Sequence, residues 1–112
     1  MPLEVEGRAL AIDDEGYLVD PSDWNEPVAE ALAQQEHLVL SGEHWVVIRF
    51  VREYYEQHQI APDARHVIKH LSEHKGSGKD GRNDLFVLFP YGYVKQACKI
   101  AGMRRPRAWS TG

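Results

Sequence analysis

The sequence predicts a mainly α domain of the α+β class: a small set of helices, an N-terminal β-hairpin and a C-terminal arm. Three observations carry this. Val47, Ile48, Val51, Tyr54 and Tyr55 recur at the i, i+4, i+7 spacing of one helix face inside Gly42–His58. Leu3-Glu4-Val5 and Ala9-Leu10-Ala11-Ile12 flank Glu6-Gly7-Arg8, two short apolar runs about a turn. Beyond Gly102, which stops the last helical pattern, Pro106 prevents a new helix from running through the tail.

The elements follow in order. After the hairpin, Asp13-Asp14-Glu15-Gly16 marks a turn before Tyr17 and Leu18. Pro21-Ser22-Asp23 offers caps for a helix whose apolar positions are Val28, Ala31, Leu32 and Ala33. Ser41 caps the central helix, which Ile60-Ala61-Pro62 ends. Residues 63–74 form the next helix, with Ala64, Val67, Ile68 and Leu71 on one side. Residues 75–81, rich in Gly, Ser and Lys, read as a flexible loop. A short apolar helix over 84–89 and the break Pro90-Tyr91-Gly92 precede the last helix, 93–101. No internal repeat is present, so residues 1–102 form a single domain and 103–112 an arm.

Composition sets bounds. A chain of 112 residues makes one domain, able to bury roughly 65% of the surface its unfolded form exposes. The single cysteine excludes an internal disulfide and suits a reducing cytoplasm. Met1-Pro2-Leu3-Glu4-Val5-Glu6 lacks the basic and apolar regions of a signal peptide. Apolar runs such as Trp45-Val46-Val47-Ile48 are too short to span a bilayer. A cytoplasmic monomer without membrane contact and without a cofactor is the expectation.

Charge is unevenly placed. Residues 1–62 hold thirteen acids against three Lys/Arg, whereas residues 63–112 hold four acids against ten Lys/Arg. Such polarity either steers a partner to one end or draws the halves of the fold together. Within 95–112, Lys95, Lys99, Arg104, Arg105 and Arg107 stand without a single acid, and Trp109 is interleaved. This cluster suits docking on an acidic protein surface, with the tryptophan filling a pocket or stacking on a base. The contrary reading is a solvated charge run. Cys98 shares an apolar stripe with Tyr93, Val94, Ala97 and Ala101, which favours a buried thiol over a reactive one. His66, His70 and His74 lie four apart on one helix, but no further ligand is placed to complete a metal set. A solvated histidine face, with no metal, is the reading. Tyr54, Tyr55 and Trp45 read as core or core edge.

The chain also resembles a known family. Leu88-Phe89-Pro90-Tyr91-Gly92, Lys95-Gln96-Ala97-Cys98-Lys99-Ile100-Ala101-Gly102 and Arg105-Pro106 resemble the C-terminal signature of the DsrC/TusE family. Asp14-Glu15-Gly16-Tyr17-Leu18, Glu43-His44-Trp45, Phe50-Val51-Arg52-Glu53-Tyr54-Tyr55 and Ile60-Ala61-Pro62 with Arg65 resemble further family motifs, in family order. That family comprises the gamma protein of dissimilatory sulfite reductase and the sulfur-relay protein of tRNA thiolation. The resemblance implies a helical fold with a helix-turn-helix-like element and an N-terminal hairpin, which agrees with the pattern reading.

It also implies a sulfur role. Family carriers load sulfur as a persulfide on a terminal cysteine at the end of a mobile arm. In dissimilatory members a second cysteine, matching Cys98, attacks the loaded one. Here the terminal-cysteine position is Trp109, which holds no sulfur, and Gly92-Tyr93-Val94 stands where many members have Gly-Pro-Ala. Arg65 and Lys69 match the surface on which the family's arm rests.

Three functions follow. The favoured one is a sulfur-metabolism protein that docks on sulfite reductase or sulfur-relay proteins, with sulfur transfer altered or absent because Trp109 stands at the terminal-cysteine position. The others are a regulatory paralogue binding DNA through the helix-turn-helix-like element, and a carrier using Cys98 as its sole catalytic thiol. Binding to nucleic acid ranks below a protein partner, because the 63–74 helix sets Asp63 and Glu73 beside Arg65 and Lys69.

Overall fold

The computed structural model describes residues 2–75 and 81–104. Strands β1 (Pro2–Val5) and β2 (Arg8–Ala11) pair antiparallel, with Leu3 opposite Leu10 and Val5 opposite Arg8. Glu6 and Gly7 take positive φ values of 50° and 81°, so the turn has the primed geometry that matches strand twist. Leu3, Val5 and Leu10 are buried, and β1 packs against the first helix. A bridge from Ile12 to Leu18 closes the next turn, where the Asp13 carboxylate accepts from the Glu15 and Tyr17 amides, each at 2.9 Å.

Helix α1 spans Glu26–Gln35 and starts later than the expected cap at Pro21-Ser22-Asp23. Those three residues form a separate 3-10 turn, capped by Asp20. The true cap is Asn25, whose side-chain oxygen accepts from the Val28 amide at 3.0 Å while Pro27 presets the first helical turn. Helix α2 is Gly42–His58, capped by Ser41 as expected. The cap is reciprocal: Ser41 Oγ accepts from the His44 amide, and His44 Nδ1 accepts from the Ser41 amide at 2.9 Å. The other imidazole nitrogen therefore donates to the Leu88 carbonyl at 2.9 Å, tying α2 to a segment 44 residues further along the chain.

Helix α3 is Ala64–Lys75, with the Asp63 carboxylate receiving the His66 amide at its start. Helix α4, Gly81–Leu88, begins three residues before the expected Asp84. The loop expected over 75–81 falls largely on residues 76–80, outside the described residues. Helix α5 is Tyr93–Cys98, wound in wide π turns that Lys99 and Ile100 complete as α-helix.

One core cluster joins these elements. Val28 and Leu32 of α1, Val47, Ile48 and Val51 of α2, and Val67 and Leu71 of α3 are sealed from solvent, as are Ala97, Cys98 and Ile100. At about 25 cal/mol per Å² of apolar surface, this burial is the term that holds a chain of this size folded. Trp45 and Tyr55 pack at the core edge, as the sequence suggested.

The histidine face of α3 is exposed at His66 and His74, as expected, and packed at His70. His70 stacks on Phe50 of α2 with centroids 4.3 Å apart, and Tyr54 lies 5.4 Å from His66. His70 is thus half-buried between the helices, whereas His66, which pairs with Asp63, and His74 remain exposed. Among the described residues no group of three or more His, Cys, Asp or Glu could hold a metal. None of the described helices is long and apolar enough to cross a membrane.

Candidate functional site

The last helix carries Cys98, and its setting decides what that thiol can do. The π turns and the apolar stripe place Cys98 wholly inside the core. Tyr93, one turn earlier, is also buried and donates its hydroxyl proton to the Pro62 carbonyl at 2.6 Å. Burial pushes the Cys98 thiol up to about 12, against a smaller lowering by its hydrogen bond with Tyr93. At neutral pH the thiolate fraction is then on the order of one in 10⁵. Since the thiolate is the attacking species, this geometry holds Cys98 as packing. Burial likewise raises the Tyr93 hydroxyl far above its ordinary value, with Cys98 adding to the shift.

The two lysines of α5 part company. Lys95 is exposed. Lys99, its side chain only 12% exposed, donates to Glu36 Oε2 at 3.0 Å and lies 5.1 Å from the Tyr17 ring. The fully buried Gln96 completes this site. Its Nε2 donates to Glu36 Oε1 at 3.3 Å, and its Oε1 accepts from the Tyr91 amide at 3.1 Å. Thus Glu36, at the end of α1, receives both polar side chains that α5 sends inward. The expectation that the cations of this segment have no acidic partner is corrected here, because an acid from the N-terminal half supplies one. Arg104 is engaged as well: its Nε donates to the Val19 carbonyl at 3.0 Å. Hydrogen bonds from Ser22, and more weakly the charge of Arg104, hold the Asp20 carboxyl below its ordinary value.

The end of α5 is clamped. Gly102, at φ 78°, is the left-handed stop that the sequence placed there. The Met103 amide bonds the Cys98 carbonyl and the Gly102 amide bonds the Lys99 carbonyl, each at 3.0 Å, which is a Schellman ending. Met103 then turns inward and is buried. Trp24 Nε1 donates to the Ile100 carbonyl at 2.9 Å. Arg52 donates to the carbonyls of Ala101 at 3.1 Å and Pro21 at 3.2 Å, with its guanidinium 4.6 Å from the Trp24 ring centroid. Every free carbonyl at the end of this helix thus meets a donor. Of the residues assigned by sequence to the arm, Met103 is buried in the core and exposed Arg104 reaches the Val19 carbonyl.

Arg65 and Lys69 take no part in this clamp. Arg65 pairs with Asp63 at 3.3 Å at the start of α3, and Lys69 is exposed one turn later. Arg105, Arg107 and Trp109 lie outside the described residues. Among the described residues, the candidate cations therefore do not converge on Cys98. Sequence reasoning missed Trp24, Glu36, Gln96 and the role of Arg52. Only Gln96 gave a signal, as an uncharged polar residue beside the apolar stripe of its helix.

Comparison with known proteins places this architecture. A family model described as "DsrC like protein" matches residues 4–108. The chain is 43% identical over 104 residues to Sulfurtransferase TusE of Pectobacterium atrosepticum, covering 93% of this chain and 95% of that protein. Its fold is similar to the oxidized gamma-subunit of the dissimilatory sulfite reductase (DsrC) from Archaeoglobus fulgidus. There the TM-score is 0.90 at 36% identity, covering 98% of this chain and 100% of that one. DsrC of Allochromatium vinosum is similar with a TM-score of 0.85 at 44% identity, over 97% of each chain. The chain belongs to the DsrC-like family.

Proposed function

We propose that this protein serves sulfur metabolism as a docking member of its family, engaging a partner enzyme through its basic C-terminal segment without carrying sulfur itself. Relatives bearing the names Sulfurtransferase TusE and sulfite reductase gamma-subunit support the sulfur setting. The observation that carries the reading is the clamp at Gly102. It fixes the point from which the chain departs toward Arg105, Arg107 and Trp109, and it uses no atom of the Cys98 side chain. Docking geometry is thereby separable from thiol chemistry. Trp109 stands at the position of the family's terminal cysteine and offers a large apolar surface with one N–H donor, the kind of side chain that anchors interfaces.

The test is binding of the immobilised full chain to purified sulfite reductase and to purified sulfur-relay proteins. Saturable binding to one of them, weakened at least tenfold by Trp109→Ala and by Arg105→Glu with Arg107→Glu, is expected. Raising salt should slow association, because exposed cations act through screened fields. Incubation with glutathione persulfide should add no sulfur atom to native Cys98 by mass spectrometry. Stoichiometric loading of Cys98 would overturn the non-carrier reading, and binding indifferent to all three substitutions would overturn docking by the tail.

A further inference from the structure

A second surface lies away from the clamp. Between α3, α4 and the turn before α5 there is an open cleft of about 360 Å³, walled by Ala64, Ile68, Leu85, Phe86, Phe89 and Tyr91. Its mouth is apolar and solvated, since Phe86 and Tyr91 are 67% and 74% exposed. Large apolar side chains left outside at the rim of a concave site mark an interaction surface more than a folding defect.

Charge identifies the visitor. On α3, Arg65 and Lys69 follow Ala64 and Ile68 by one residue each, so at 100° per residue they flank the cleft on the side away from buried Val67 and Leu71. Lys95, exposed on α5, follows the cleft residues Gly92 and Tyr93 by three and two residues. Arg65 is held by Asp63, but among the described residues neither Lys69 nor Lys95 pairs with a carboxylate, Glu73 on the next turn of α3 included. An apolar cleft whose flanking segments carry two exposed, unpaired lysines fits an apolar side chain bracketed by carboxylates.

We propose that this cleft docks an acidic protein segment that inserts one leucine or phenylalanine between α3 and α4 and sets its carboxylates against Lys69 and Lys95. The opening accommodates one or two side chains, which suits a short peptide better than a lipid surface. This contact is independent of the C-terminal segment and holds whether or not that segment docks.

The test titrates an acetylated, amidated peptide Glu-Glu-Leu-Phe-Glu-Glu into the isotope-labelled full chain and follows amide signals. Saturable shifts at Ile68, Leu85 and Tyr91 with a dissociation constant below about 1 mM are expected. Phe86→Ser, and Lys69→Glu with Lys95→Glu, all at exposed positions, should each weaken binding at least fivefold without changing the fold. The peptide Lys-Lys-Leu-Phe-Lys-Lys should not bind. Equal binding of both peptides, or no shift at the cleft, would overturn the proposal. So would cleft signals that move with protein concentration, which would make the occupant a second copy. Movement of the same signals by Trp109→Ala would assign the cleft to the chain's own tail.

Discussion

Replacing Gly102 with alanine tests the clamp, and its cost can be worked out from two separate causes. The first is conformational: Gly102 sits at φ 78°, where a Cβ costs about 1–2 kcal/mol. The second is a collision. A Cβ built at Gly102 lies 2.4 Å from Trp24 Cδ1 and 2.9 Å from Trp24 Cβ. The tight neighbour includes the root of the indole, so rotating a flexible end does not relieve it. Moving Trp24 breaks its bond to the Ile100 carbonyl, about 0.5–1.5 kcal/mol. It also disturbs the Arg52 stack, about 0.5–1 kcal/mol. Against this, alanine restrains the unfolded chain by about 0.4–1 kcal/mol. The net loss is about 2–4 kcal/mol.

Gly7 supplies the control. Its φ is 81°, nearly that of Gly102, but nothing lies within 4 Å of an added Cβ. Gly7→Ala therefore carries the conformational cost alone, about 1 kcal/mol after the unfolded-state gain. Urea unfolding followed by circular dichroism measures both, with unchanged slopes showing that only stability has moved. In a Trp24→Ala background, Gly102→Ala should fall to the Gly7 value, since its collision partner is gone. Equal losses at Gly7 and Gly102 in the native background would refute the argument that Trp24 locks the helix end.

Three further outcomes are expected. The Cys98 thiol is raised to about 12 in the fold from an ordinary 9.0. Its contribution is therefore whole below about pH 9 and is lost as pH rises toward 12, at up to about 1.4 kcal/mol per pH unit; Cys98→Ala should flatten the alkaline stability profile over that window. A Glu36→Gln, Lys99→Met double-mutant cycle should give a coupling of about 1.5–3 kcal/mol, as for a hydrogen bond between charged groups, and a value near zero would show the pair to be ornamental. Stoichiometric zinc should leave the melting temperature unchanged, while His70→Ala should cost about 1 kcal/mol through the lost stack on Phe50; a zinc-dependent rise abolished by that substitution would reveal a metal site.

Much of the fold was legible because its signals are local. Ser41 capping α2, Pro62 ending the link after it and Gly102 stopping the last helix each act within a few residues. The burial of Cys98 followed from its stripe with Ala97 and Ala101. What escaped was set by long-range packing. Trp24 meets Ile100, Arg52 meets Ala101, and Glu36 meets Gln96 and Lys99 across distant stretches of chain. Local sequence cannot say that an acid at the end of α1 will neutralise a lysine of α5. The same limit hid the stacking of His70 on Phe50 of another helix, while His66 and His74 stay exposed as the sequence suggested. The missed cap at Asn25 was a local error: Pro21-Ser22-Asp23 is a sound helix start in isolation, but Pro27 gives a better one.

The division of charge along the chain now has a physical reading. Of the two lysines on α5, the one turned inward is neutralised by Glu36, from the acidic half, and Arg104 is drawn toward Asp20, from the same half. Attraction between the halves therefore accounts for part of the asymmetry. It does not account for Lys69 and Lys95, which remain exposed and unpaired among the described residues. Unpaired like charges bring no internal stabilisation, which is why an outside partner is proposed for them. The clamp points the same way, since its donors close the helix end on backbone carbonyls alone. Trp24 and Arg52 hold the end of α5 through the Ile100 and Ala101 carbonyls, so the helix end keeps its geometry without any contribution from the Cys98 side chain.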